Sequence, residues 1–164
     1  MARRAAASPL SAGSWYVTMR REVTVIGIHH VGLAVSDLAA AVTEYRERFG
    51  AEVEAEERLE EQGVAAAALR LGARGRVELL APLGPDTPVG RFLERRGEGM
   101  HHVAYEVDDI DAALAALAAD GATLIDEQPR EGLYGSVAFI HPEAVHGVLT
   151  ELVQPRDDPG GVHA

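Results

Sequence analysis

The sequence predicts an α+β fold built from two βαβββ modules related by a pseudo-twofold axis, and three observations predict it. Ile28-His-His-Val-Gly-Leu-Ala-Val-Ser-Asp-Leu returns as Met100-His-His-Val-Ala-Tyr-Glu-Val-Asp-Asp-Ile, which sets His29 and His101, Val31 and Val103, Val35 and Val107, and Asp37 and Asp109 72 residues apart. At nearly the same spacing, Val77-Glu-Leu-Leu-Ala-Pro answers Thr150-Glu-Leu-Val-Gln-Pro and pairs Glu78 with Glu151. A chain of 164 residues suits two half-size units sharing one core better than two independent domains.

Each module reads as strand, helix and three strands. Ile28–Val35 alternates and is β-branched, as a half-buried strand should be. Ser36 or Asp37 caps a helix that reaches about Phe49 and is closed by Gly50. Strands follow over 52–58, 64–71 and 76–80, separated by Gln62-Gly63 and by 72–75. The second module repeats the order: a strand over 100–107, a cap at Asp108 or Asp109, a helix to about Asp120, Gly121, then strands near 123–126, 136–140 and 148–153. Residues 84–99 join the modules, with a short helical turn around 89–95. The modules thus span about 26–83 and 100–154 in a domain covering 23–154. Residues 1–22 carry four Arg before the first acid, a composition shared by transit peptides and by misassigned starts, and they are expected to be disordered or spurious. The Pro/Gly/Asp-rich segment 155–164 is expected to be a disordered tail.

Composition excludes several chemistries. No cysteine is present, so there are no disulfides, thiolate nucleophiles or Cys-ligated zinc. All 15 basic residues are Arg, which removes lysine Schiff bases and leaves Arg, hydrogen-bond donors or a metal as the electrophile. A net charge of −11 argues against nucleic acid. No apolar stretch approaches the roughly 20 residues of a membrane span, so a cytoplasmic location is expected. Arg91, Arg95 and Arg96 gather positive charge locally, although such a run also reads as a solvated face.

Strand parity selects the candidate site. Val31, Leu33 and Val35 share the face expected to pack on the helix, so His30, Gly32 and Ala34 share the concave one. By the same parity His102 opposes Val103, Tyr105 and Val107; Glu78 opposes Val77 and Leu79; and Glu151 opposes Thr150 and Leu152. If two such sheets face each other, His30, Glu78, His102 and Glu151 converge, and the small Gly32 and Ala34 leave room for a ligand. Two imidazoles and two carboxylates suit a divalent ion such as Co²⁺, Mn²⁺, Ni²⁺ or Zn²⁺. On an octahedral ion, four protein ligands leave two positions for a chelating substrate. Parity directs His29 and His101 away from the cleft, where a structural role is expected. His141, in Phe-Ile-His-Pro, reads as structural or as a support to the site, His146 and His163 as loop and tail, and Asp108, Asp109 and Asp111 as helix-capping acids.

The arrangement resembles the vicinal oxygen chelate (glyoxalase/bleomycin resistance/dioxygenase) superfamily, and over roughly 26–154 the chain is similar to methylmalonyl-CoA epimerases. The resemblance is carried by Ile28-His-His-Val-Gly-Leu-Ala-Val, Glu61-Gln-Gly-Val, Val77-Glu-Leu-Leu-Ala-Pro-Leu, Gly97-Glu-Gly-Met-His-His-Val-Ala-Tyr-Glu-Val, and Phe139-Ile-His-Pro followed by Gly147-Val-Leu-Thr-Glu-Leu. It implies interconversion of the C2 epimers of methylmalonyl-CoA, or of a close 2-alkylmalonyl-CoA, by removal and return of the C2 proton. It also implies a CoA thioester substrate, a homodimer, and a divalent metal, Co²⁺ first and Mn²⁺, Ni²⁺, Zn²⁺ or Mg²⁺ besides, on His30, Glu78, His102 and Glu151. Some members carry a glutamate base shortly after the Gln-Gly-Val turn and a glutamine at the position of Glu78; here the aligned residues are Ala66 and Glu78. Glu151 and Glu78 are therefore expected to be the two catalytic bases. The small residues 65–68 leave the size of the acyl substituent open. Two other readings share the fold: another enzyme of the superfamily, such as a glyoxalase-type isomerase or an extradiol dioxygenase, and a metal-free binding protein of the drug-sequestering kind.

Overall fold

The computed structural model describes residues 23–156, so the expectations placed on residues 1–22 and 157–164, including His163, lie outside the described residues. The strands are β1 (Val25–Ala34), β2 (Glu52–Leu59), β3 (Val64–Leu71), β4 (Gly75–Pro82), β5 (Gly99–Val107), β6 (Arg130–Glu131), β7 (Gly135–Ile140) and β8 (Thr150–Pro155). The helices are α1 (Leu38–Phe49), α2 (Pro88–Arg96) and α3 (Ile110–Ala119), with short 3₁₀ turns at Glu60–Gln62 and Pro142–Val145.

One eight-stranded mixed sheet, ordered β2-β3-β4-β1-β5-β8-β7-β6, carries both modules. The two halves do not form separate facing sheets, because antiparallel pairing of β1 with β5 makes their sheets continuous. On either side of that seam the connectivity repeats: β4 runs parallel to β1 and β8 parallel to β5, each reached by a crossover that includes a helix. The sheet curls far enough for its two ends to meet. Gln62 Nε2 donates to Glu131 O at 2.8 Å, and Leu133 packs among Ala34, Val64, Ala66, Ala68, Leu80 and Val89.

Local chemistry sets the element ends. Asp37 and Asp109 are the equivalent N-caps, accepting from Ala40 N at 3.0 Å and Ala112 N at 2.9 Å, interactions typically worth about 1 kcal/mol each. Ser36 instead donates its backbone N–H to Glu98 Oε1. Gly50 ends α1 at φ 63°, in the left-handed region where a side chain is disfavoured. The apolar faces follow the strand alternation: Leu33 and Val35 pack with Leu38 and Val42 of α1, and Tyr105 and Val107 with Ile110 and Leu114 of α3.

Four expectations need correction. The segment between the modules is a nine-residue helix rather than a short turn, begun by Thr87 as cap and by Pro88, whose missing N–H costs nothing there. The strand expected over 123–126 is only a bridge between Leu124 and Ile140. There the Asp126 carboxylate takes the Phe139 N–H at 2.8 Å in place of a ladder partner, and Pro129 brings no donor of its own, so the outer strand shrinks to β6. Pro155 closes β8, and Arg156 donates to Leu133 O and Gly132 O, so ordered structure continues past the expected tail boundary. β1 also begins three residues earlier than expected. Among the described residues no helix is long and apolar enough to cross a membrane.

Candidate active site

Sheet register brings the four candidate ligands together in two crossed rows. Gly32 of β1 is flanked by Glu78 on β4 and His102 on β5; Ala104 of β5 is flanked by His30 on β1 and Glu151 on β8. Each row thus places an imidazole and a carboxylate across a small residue, and the rows are exchanged by the pseudo-twofold. His30 and His102 are 1% exposed, Glu151 5% and Glu78 6%. Their tips meet: His30 Nε2 lies 3.1 Å from His102 Nε2, Glu151 Oε2 lies 3.2 and 3.4 Å from those two nitrogens, and Glu78 Oε2 lies 3.5 and 3.6 Å from them. His30, His102 and Glu151 offer ligand atoms all within 4.8 Å of one another, with Glu78 just outside that closest set.

Gly32 serves this convergence, though not as the sequence suggested. A Cβ built there would come 2.1 Å from His102 Cε1, so the space beside Gly32 is taken by the His102 ring and not left to a ligand. Ala34 likewise lies in the core against Leu133 rather than lining an open cleft. Ala66 is fully buried in the same cluster and Glu78 pairs with Ala68 on the neighbouring strand, which places no acid on β3 near the centre.

Electrostatics within the cluster are strongly coupled. Burial opposes charge on His30, yet its contacts with Glu151 and Glu78 prevail and raise its pKa to about 9. Burial would also raise Glu151, but the imidazoles of His102 and His30 hold its carboxyl well below the usual range. Glu151 Oε2 is nonetheless buried with no aligned hydrogen-bond donor. An orphaned carboxylate oxygen beside two imidazole nitrogens only 3.1 Å apart is a donor set that fits a divalent cation. His30, His102, Glu151 and Glu78 are the residues that could hold it.

His29 and His101 depart from strand parity. Both lie beside the cluster, with His29 Nδ1 2.9 Å from His30 Nδ1 and His101 Nδ1 3.0 Å from His102 Nδ1. Burial, then the adjacent imidazole, lowers each to a pKa of about 4, so both are neutral at ordinary pH. The signal was available in the sequence as a His-His dipeptide in both copies. His141 accepts from Glu143 N at 3.2 Å as the cap of a 3₁₀ turn, and His146 is the left-handed residue that ends that turn, which gives both local structural roles.

Among the described residues, a small cavity and an open groove reach the centre. The cavity, of about 80 Å³, lies against Glu78, Glu151 and His102, walled by Leu59, Val64, Leu80 and Leu133, with Gln62 and Arg130 also lining it. Arg130 stacks on Phe139 at 5.5 Å and pairs with Asp126 at 3.3 Å; strand periodicity gave no hint of its placement. The groove, of about 720 Å³, runs from His101 and His102 past Phe92 to Arg91, Arg95 and Arg96 on α2.

Comparison with known proteins agrees with this architecture. The model of the Glyoxalase/Bleomycin resistance protein/Dioxygenase superfamily matches residues 29–139. The chain is 41% identical over 130 residues to the ethylmalonyl-CoA/methylmalonyl-CoA epimerase of Cereibacter sphaeroides, covering 77% of this chain and 96% of that protein. It belongs to the methylmalonyl-CoA epimerase family. Other members include the human mitochondrial methylmalonyl-CoA epimerase, 40% identical over 77% of this chain and 73% of its own. A variant of the Streptomyces coelicolor epimerase, solved in complex with 2-nitronate-propionyl-CoA, superposes with a TM-score of 0.77 at 40% identity, covering 80% of this chain and 99% of that one. On these likenesses the chain is an enzyme of the epimerase class.

Proposed function

We propose that this enzyme interconverts the C2 epimers of methylmalonyl-CoA, or of a close 2-alkylmalonyl-CoA, and that Glu151 and Glu78 are its two proton-transfer groups. The observation that carries the reading is the pseudo-symmetric placement of two buried carboxylates about one imidazole pair. Epimerisation removes the C2 proton on one face and returns one on the other, so it needs an acid/base group on each side. The contacts of both glutamates with the imidazoles are made through Oε2, which leaves Oε1 of each for the proton.

A divalent cation held by His30, His102 and Glu151, with Glu78 completing the set, would act as a Lewis acid and stabilise the negative charge that develops on the thioester oxygen as the C2–H bond breaks. The protein's own groups do the rest. The apolar walls formed by Leu59, Val64, Leu80 and Leu133 restrict water around the reacting carbon. The groove leading from His102 to Arg91, Arg95 and Arg96 matches a long substrate whose far end bears phosphates, in a chain whose overall charge repels them.

Incubating one epimer of methylmalonyl-CoA with the protein in D₂O, with and without chelator, tests the proposal. Deuterium at C2 together with appearance of the other epimer, abolished by chelator, is the expected result. No exchange with the metal-supplemented protein removes the epimerase reading, and exchange indifferent to chelator removes the Lewis-acid part.

A further inference from the structure

We infer that His29 and His101 are positioning residues, each a neutral hydrogen-bond acceptor that fixes the tautomer and ring angle of the candidate metal ligand that follows it. The inference rests on the cation reading of the site.

The backbone shows how a residue of the wrong parity reaches the cluster. Along the β1–β5 ladder, Ile28 pairs with Tyr105 and His30 with Ala104, so His29 is an extra residue on β1. Further along, Gly32 pairs with His102 and Leu33 with Met100, so His101 is the extra residue on β5. A bulge residue leaves the ladder and its side chain is re-aimed. Of the three register shifts along this ladder, these two fall on the first histidine of a His-His dipeptide, once in each module, and the third lies at Ile26. They bring each pair into the same edge-on packing, with ring centroids 5.2 Å apart at 78° for His29–His30 and 5.3 Å apart at 84° for His101–His102.

Proton counting then decides the roles. Two ring nitrogens at 2.9 or 3.0 Å share one hydrogen, one donating and the other accepting. His30 and His102 turn Nε2 toward each other and toward the two glutamates, so a lone pair reaches a cation from Nε2 only when the ring proton sits on Nδ1. His30 and His102 are therefore the donors. His29 and His101 accept at Nδ1 and keep their own proton on Nε2. Ligand histidines commonly give their outer N–H to a carboxylate, a backbone carbonyl or water. Here an imidazole fills that place twice, and being neutral it adds no charge to a centre that already holds two carboxylates.

A packing role alone would account for the contacts of His29 with Tyr134 and of His101 with Phe92, and the substitutions separate the two. His29→Phe and His101→Phe keep a ring but lose the acceptor; His29→Asn and His101→Asn lose the ring but offer Oδ1 near the position of Nδ1. Equilibrium Zn²⁺ and Co²⁺ affinities, measured by competition with a chromophoric chelator, are expected to fall roughly 10–100-fold in each Phe variant and to recover to within several-fold in the Asn variants. Equal affinities across the set overturn the inference, whereas no cation binding by the unaltered protein overturns the Lewis-acid reading and the inference with it. Should the Phe variants fail to fold, imidazole ¹⁵N spectra of the Zn²⁺-loaded unaltered protein decide. Protonated Nδ1 on His30 and His102 with unprotonated Nδ1 on His29 and His101 is expected, and the reverse refutes it.

Discussion

His30 Nε2 and His102 Nε2 stand 3.1 Å apart, on neighbouring strands of two modules whose sequences repeat at that separation of 72 residues. The carboxylates of Glu151 and Glu78 flank this pair, and each should serve one epimer. Glu151→Gln and Glu78→Gln are expected to lower kcat by about 10²–10⁴-fold. Each variant should still exchange the C2 proton of one epimer with D₂O while failing to invert it, followed by NMR on each epimer separately. Symmetric loss of both exchanges would place the second base elsewhere.

Gly32→Ala drives a methyl into the His102 ring. The ring has backbone on one side and Phe139 on another, at 5.3 Å, so it must tilt out of the cluster. Activity should fall about 10²-fold, as expected for a misplacement of about 1 Å at a reacting centre. Overpacking should also cost about 1–3 kcal/mol of stability in denaturant titration.

Leu133→Ala opens space beside Ala66 and Ala68. Truncating this buried leucine should cost about 2–5 kcal/mol. The ratio of kcat/KM for ethylmalonyl-CoA over methylmalonyl-CoA should rise, because the added methylene gains a pocket. An unchanged ratio would mean that the substituent points elsewhere.

Reversing charge with Arg91→Glu, Arg95→Glu and Arg96→Glu together should raise KM for methylmalonyl-CoA about tenfold or more and leave kcat near its original value. A methylmalonyl-pantetheine thioester, which has no nucleotide phosphates, should be converted equally by both proteins. Equal KM values for the CoA substrate would show that the groove does not receive its phosphates.

Stability of the metal-free protein should peak near pH 6.5. His29 and His101 have folded pKa values of about 4, below the ordinary 6.5, so their contribution is full above 6.5 and is lost as pH falls from 6.5 toward 4. His30 is raised to about 9, so its contribution is full below 6.5 and is lost as pH rises toward 9. Calorimetric Tm measured from pH 4 to 9 in the presence of chelator checks both slopes.

Much of this is legible in the sequence, because duplication is written in side chains. Asp37 and Asp109 mark the helix starts, and the alternation that sets Leu33 and Val35, and Tyr105 and Val107, on one face marks the faces that pack on the helices. That same alternation selected His30, His102, Glu78 and Glu151. It failed at His29 and His101 because a bulge breaks the two-residue period, and nothing in an apolar/polar pattern announces a bulge. It failed over 123–126 because a side-chain acceptor, Asp126, replaced a ladder bond. Arg130 and Leu133 were beyond its reach for a third reason: they sit where the curled sheet meets its own far end, a contact set by the twist of the whole sheet.

Because the four candidate ligands lie on β4 and β1 on one side of the β1–β5 seam and on β5 and β8 on the other, neither half of the molecule owns a complete site. A chain severed between Pro82 and Gly99 would leave each fragment with one candidate ligand imidazole and one acid. Two copies of a single fragment, paired along the same seam, would restore both. The centre therefore exists only while the β1–β5 ladder holds the two halves together.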